Sequence, residues 1–234
     1  MARLGPRNQS PDRSKYDLQK WHYVNVPILL DGTRPAKVNL AMGQPRGPAK
    51  EWNVAQATRF CLTMIEGDDA PHQQALAYCW LFHLVGDLHQ PLHSTAIFCE
   101  RFPEGDRGGN SIPTKQGRNL HSLWDNLLGR DHKLNSVRRV SLQLQARPED
   151  WTVDTETDLQ EWLEESHALA KSFAYSPAIV AAVRSDVEKL APIDVGEEYL
   201  VEAGRHARSR IVAAGVRLAT LLGDEQAPGP PAAP

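Results

Sequence analysis

Residues 71–93 read PHQQALAYCWLFHLVGDLHQPLH. A proline suits the first turn of a helix, and nothing interrupts the run before Pro91. Its apolar character on most sides predicts a buried central helix over residues 71–90. The end of that helix carries His83, Asp87 and His89, and His93 follows Pro91. His83 and Asp87 are four apart, so on a helix they share a face, with Cβ atoms about 5–6 Å apart. Pro91 breaks the helix and lets His93 turn toward partners that its own helix does not reach. A carboxylate such as Asp87 costs several kcal/mol in so apolar a segment unless it is paired or bound to a metal. No Lys or Arg lies within a turn of it. That leaves a cation, or a longer-range ion pair with Arg101 or Arg107, as its partner.

Working outward, residues 1–20 show no periodicity, and residues 31–50 are rich in Pro and Gly and read as a long loop. Trp52, Ala55, Phe60 and Met64 recur at helical spacing before the EGDD at 66–69. Residues 94–118 contain Pro103, Gly105, Gly108, Gly109, Pro113 and Gly117, and read as loop or short strand. NLHSLWDNLL (119–128) is a helix opened by Asn119 and stopped by Gly129. DLQEWLEESHALAKSFAY (158–175) is amphipathic and ends before Pro177; residues 177–190 form another helix and residues 196–223 a long last one. Strand signals are nearly absent and no repeat is found. The expected fold class is all-α, a single multi-helix domain over residues 1–223, with a Pro/Ala/Gly-rich disordered tail at 224–234.

The chain has 234 residues, 41% of them apolar and 24% charged, the balance of an ordinary globular domain with a proper core. Its net charge of −3 excludes the broad basic footprint of a tight duplex-DNA binder. Cys61, Cys79 and Cys99 are odd in number and form no CxxC, so cysteine-based zinc is not indicated. One disulfide with a free thiol, and three buried thiols, both remain open. The N-terminus is polar and basic without an apolar core, so it does not read as a signal peptide. The longest apolar run is too short to span a bilayer.

His121 and Asp125 form a second pair four apart, on another helix. An imidazole nitrogen and a carboxylate oxygen one turn apart suit zinc, although a His or Asp taken singly in a helix is more often a satisfied core or surface residue. HQPLH (89–93) is not the metalloprotease motif: position 90 is Gln, and Pro91 breaks the helix that the motif requires. His89 reads as core packing or support behind the ligands. His72, His132, His167 and His206 have ordinary surface or packing readings.

HLVGDLHQPLH (83–93), DRGGN (106–110) and NLHSLWD (119–125), in this order, resemble the trinuclear-zinc, single-strand-specific nucleases, the nuclease I type of plants, fungi and bacteria, relatives of zinc phospholipase C. WHYVNVP (21–27) is similar to the family's upstream histidine segment, and residues 162–170 and 198–222 to its closing helices. The resemblance implies that His22, His83 and Asp87 bind one zinc, with Asp87 bridging to a neighbour, and that His93, His121 and Asp125 hold another. It implies hydrolysis of single-stranded DNA and RNA to 5′-phosphates by a zinc-bound hydroxide, 3′-nucleotidase activity in many members, and a secreted or periplasmic monomer. Tyr23 is then the candidate to stack on an unpaired base and Asn25 to meet a base edge. Gly108 and Gly109 serve a tight turn that Asn110 ties to the site.

The early part of the family pattern, a Trp, a histidine and an aspartate, has no clear counterpart; Asp12 and Asp17 are the available substitutes. The expectation is one complete zinc site and two deficient ones, in a sequence whose natural start lies upstream of Met1. Two alternatives stay open: a zinc phosphoesterase of the same fold acting on phospholipid or nucleotide, and a non-catalytic protein with one structural zinc.

Overall fold

The computed structural model describes residues 16–223 except 36, 132, 148–150 and 152. The tail at 224–234, Asp12 and His132 lie outside the described residues. Among these residues there are seven α-helices: α1 (Val54–Glu66), α2 (Pro71–His89), α3 (Leu120–Asp125), α4 (Leu134–Gln145), α5 (Leu159–Leu169), α6 (Pro177–Val183) and α7 (Glu197–Leu221). None of the described helices is long and apolar enough to cross a membrane.

The central helix is α2, with Pro71 in its first turn. It buries Leu81, Leu84 and Leu88 against Trp21, Val54, Trp162 and Ala214. A second core gathers Leu92, Ile97, Ile112, Leu120, Trp124, Ile179 and Tyr199. Asn119 caps α3 as its sequence suggests: its side chain accepts from Ser122 N at 2.8 Å, and its own N–H donates to Ser122 Oγ at 3.2 Å.

Three parts of the expected outline are corrected. First, residues 26–29 form a strand that sequence patterning did not mark, and it pairs with one inside 94–118, the stretch read as loop or short strand. β1 (Val26–Leu29) and β2 (Thr95–Phe98) pair in parallel, Val26 with Thr95 through Leu29 with Phe98. Second, α4 occupies a stretch to which sequence patterning gave no element, and it buries none of its residues. Third, the helix from Pro177 stops at Val183, and α5 passes into a π-helical turn, Ala170–Ala174, before Tyr175. The cysteines form no disulfide: Cys61 and Cys99 are buried, Cys79 is exposed, and burial pushes the Cys61 thiol up to about 12.

One polar network locks the end of α2. His89 Nδ1 donates to Val85 O at 2.7 Å, which leaves Nε2 to accept from Arg217 at 3.1 Å. Burial, reinforced by Arg210, pushes the His89 pKa down to about 3, so it is a neutral packing residue. Arg217 is 2% exposed and grips both oxygens of Glu165 at 2.7 Å. Arg210 binds the same carboxylate at 2.6 Å and donates to His89 O at 3.1 Å. Glu165→Ala leaves a buried guanidinium without its anion. That costs about 3–5 kcal/mol in a dry site and about 2–4 here, because the Glu165 side chain is 40% exposed. The hydrogen bond from Arg217 holds the Glu165 carboxyl at about 2, against an ordinary 4.5. A depressed carboxyl stabilises the fold fully above the unfolded value and loses that contribution as pH falls toward 2. Urea midpoints should therefore separate wild type from Glu165→Ala above pH 4.5 and converge below it; parallel curves throughout would refute this role.

Candidate metal centre

His22 is placed by its neighbours on either side. Trp21 is buried, stacks on Trp52 at 5.7 Å and lies 4.9 Å from Trp80. Val24 N donates to His93 O at 2.8 Å, which begins the parallel pairing of β1 and β2. The strands thus bring His22 beside the end of α2, although the two are some sixty residues apart in sequence. His22 Nδ1 lies 2.9 Å from Asp87 Oδ2, His83 Nε2 lies 3.1 Å from the same oxygen, and the two ring nitrogens are 2.8 Å apart.

The second set forms around the break at Pro91. Gln90 caps α2, and residues Pro91–His93 make one 3-10 turn that swings His93 back toward the helix. His93 Nδ1 is 2.6 Å from His22 O and 3.3 Å from Asp87 Oδ1. Both neighbours are acceptors, so Nδ1 carries the proton and Nε2 faces Asp125 Oδ1 at 3.7 Å. His121 repeats the arrangement: Nδ1 donates to Gly108 O at 2.7 Å, and Nε2 lies 3.6 Å from Asp125 Oδ2. The His93 and His121 rings stack at 4.7 Å. Gln90 Nε2 donates to Asp125 Oδ1 at 2.9 Å and orients that carboxylate.

Each triad, His22/His83/Asp87 and His93/His121/Asp125, has its candidate ligand atoms within 4.8 Å of one another. A tetrahedral zinc with bonds of about 2.0–2.1 Å sets its ligand atoms about 3.3 Å apart. The separations of 2.8–3.1 Å in the first triad and 3.6–3.7 Å in the second bracket that value. Backbone carbonyls hold His93 and His121 with Nε2 directed at the shared point, the usual support for a metal-binding imidazole. The residues therefore fit divalent zinc.

The charges are coupled. Burial opposes ionisation of Asp87, but His93, His22 and His83 outweigh it and hold the carboxyl far below its usual range. Burial likewise opposes a charge on His93, yet Asp87 and Asp125 push its pKa up to about 9. Among the described residues Asp87 has no arginine partner: Arg101 instead forks onto the carbonyls of Val183, Ser185, Val187 and Glu188. His83, Asp87, His93 and Asp125 line one cleft of about 320 Å³, with Arg210 at its side.

Asp106, which opens the DRGGN motif but was given no role there, and Tyr175, which carried no sequence signal, support this site. Arg107, Gly108 and Gly109 take φ of 61°, 58° and 80°, three left-handed residues in succession. Buried Asp106 ties that turn down, accepting from Ile97 N at 2.9 Å, Gly109 N at 2.8 Å and Tyr175 OH at 2.8 Å. Burial pushes the Asp106 carboxyl up to about 6. The turn presents Gly108 O to His121. Asn110 Oδ1 accepts from the capping Asn119 at 3.4 Å and so ties the turn to α3, while Asn110 itself lines a separate depression with Arg118 and Lys189. Tyr23, 36% exposed, and Asn25 share a pocket of about 240 Å³ with Lys37, Trp52 and Phe98, next along the chain from His22. Asp17 is exposed and joins neither triad among the described residues.

The sequence profile described as S1/P1 Nuclease matches residues 8–225. The chain belongs to the S1/P1 nuclease family. Endonuclease 3 of Arabidopsis thaliana is 30% identical over 218 residues, covering 83% of the chain and 70% of that protein. Endonuclease 4 of the same plant is 29% identical over 155 residues, 62% of the chain and 49% of that protein. Endonuclease 5 is 30% identical over 154 residues, again 62% and 49%. The chain thus spans about half the length of Endonucleases 4 and 5. S1/P1 nucleases are zinc-dependent hydrolases, and among the described residues the two triads are clusters that suit the metal.

Proposed function

We propose that this S1/P1 nuclease is a zinc-dependent endonuclease that hydrolyses single-stranded DNA and RNA to 5′-phosphate products. One observation carries the reading: Asp87 touches both triads, through His22 and His83 on one oxygen and His93 on the other. A phosphodiester in the cleft would therefore meet both sets at once. His22, His83 and Asp87 would hold one zinc, and His93, His121 and Asp125 another. Zinc bound at such a site supplies water acidified from about 15.7 to about 7 and neutralises phosphate charge. The chain's own residues supply orientation. His22 O and Gly108 O fix the rings of His93 and His121, and Gln90 aligns Asp125. Cations so held let a chain of net charge −3 accept a polyanion locally. A 3′-nucleotide carries the same phosphate–O3′ linkage and is the smallest substrate within this reading.

Tyr23 and Asn25 support the choice of single strands. A partly exposed ring beside a ligand histidine suits an unstacked base, and base–aromatic stacking contributes about 1–3 kcal/mol. Zinc-loaded protein should cleave single-stranded DNA at least about tenfold faster than duplex of the same sequence. Equal rates on the two forms would overturn the substrate assignment. Absence of hydrolysis on DNA, RNA and 3′-nucleotides alike would overturn the enzyme assignment.

A further inference from the structure

The face of α4 that carries Ser136, Val140 and Leu144, every fourth residue, looks toward Ile211, Gly215 and Val216 of α7 across a groove of about 780 Å³. The groove is larger than the metal cleft and continuous with it, since Asp125, Leu128 and Ile211 line both. Its walls are largely aliphatic, but its surroundings are cationic. Residues 130–147 hold Arg130, Lys133, Arg138, Arg139 and Arg147 against the single acid Asp131, in a chain of net charge −3. Arg130 and Arg139 line the groove itself together with Asp131 and the metal-triad Asp125, and the further cations Lys133, Arg138 and Arg147 stand on α4 or beside it. An occupant that satisfies both features has apolar faces and regularly spaced negative charge. An unpaired nucleic-acid strand has both, in its base planes and its linking phosphates. A zwitterionic lipid would satisfy the aliphatic walls and leave the excess of arginine unanswered.

From this we infer that the α4–α7 groove is the track for nucleotides flanking the scissile bond, with bases against Val140, Leu144, Ile211 and Val216 and phosphates against Arg130 and Arg139. The inference rests on the nuclease reading and adds to it a preference for longer strands.

Gly215 gives a direct probe. A Cβ there meets nothing within 4 Å, and glycine inside a helix is unfavourable, so Gly215→Trp leaves the backbone from an unobstructed position and sets an indole in the groove. On zinc-loaded full-length protein, kcat/KM is measured for an oligothymidylate of about a dozen nucleotides and for dithymidylate. The ratio of the first to the second should fall about tenfold in Gly215→Trp, the size of one lost base contact. The Arg130→Ala/Arg139→Ala double variant should bind a phosphorothioate oligothymidylate with a salt slope shallower by about 1.4, or about 0.7 per phosphate contact. Fluorescence anisotropy reads this without cleavage. If Gly215→Trp lowers the melting temperature, the arginine variant carries the test. A ratio unchanged by Gly215→Trp, or a wild-type salt slope, overturns the inference and leaves the nuclease reading intact. Loss of binding to phosphatidylcholine vesicles, with strand binding kept, also overturns it by naming a lipid occupant. If neither oligonucleotide is cleaved, the nuclease reading fails while anisotropy still judges the groove.

Discussion

Asp87→Asn is expected to lower hydrolysis by at least about a thousandfold and to release zinc, while the fold is retained. The substitution keeps the shape of the side chain. It removes the negative charge, and it puts an NH₂ group where one of two oxygens now faces imidazole nitrogens. Asp87 Oδ2 lies 2.9 Å from His22 and 3.1 Å from His83, and Oδ1 lies 3.3 Å from His93. Whichever way the amide turns, one triad faces a donor instead of an anion. Circular dichroism should stay native, zinc per chain should fall by mass spectrometry, and kcat should collapse. Zinc content and kcat both at wild-type levels would remove Asp87 from the centre of the site.

Gly108→Ala should be the most damaging small substitution outside the ligands. Gly108 has φ of 58°, and a Cβ there would fall well inside van der Waals contact of the Leu92 carbonyl oxygen. A backbone atom cannot swing aside as a side chain can. Left-handed backbone alone costs about 1–2 kcal/mol for alanine, and the clash brings the total to roughly 3 kcal/mol or more. The displaced turn would also pull Gly108 O away from His121 Nδ1, so zinc affinity should drop about 10- to 100-fold. Urea denaturation and zinc titration calorimetry measure the two effects separately. A wild-type midpoint would contradict the strain, and unchanged affinity would contradict the link to His121.

The parts of this molecule that were legible in the sequence are those encoded by short-range spacing. Pro71 and an unbroken apolar run gave α2, Asn119 gave the start of α3, and intervals of four gave the His83/Asp87 and His121/Asp125 pairs. The break at Pro91 gave His93 its freedom to turn. What remained hidden depends on distant pairing. β1 and β2 have four residues each, β1 contains Pro27, and their register joins positions 26 and 95. No window along the chain holds both strands, so only the family resemblance pointed to His22. The Tyr175–Asp106 hydrogen bond spans 69 positions and was equally invisible. α4 was missed although Leu134, Val137, Val140 and Leu144 recur at helical spacing: that stripe reaches no core and buries no residue. Its partly covered residues Ser136, Val140 and Leu144 acquire meaning only opposite α7.

The central claim is that six residues from distant parts of the chain form two zinc triads joined through Asp87. Zinc-edge anomalous diffraction from crystals grown with zinc tests it most directly. The expected map has one peak among His22, His83 and Asp87 and another among His93, His121 and Asp125, each about 2.0–2.2 Å from its nitrogen and oxygen donors. A cleft without anomalous density, or zinc held only by other residues, would contradict the account.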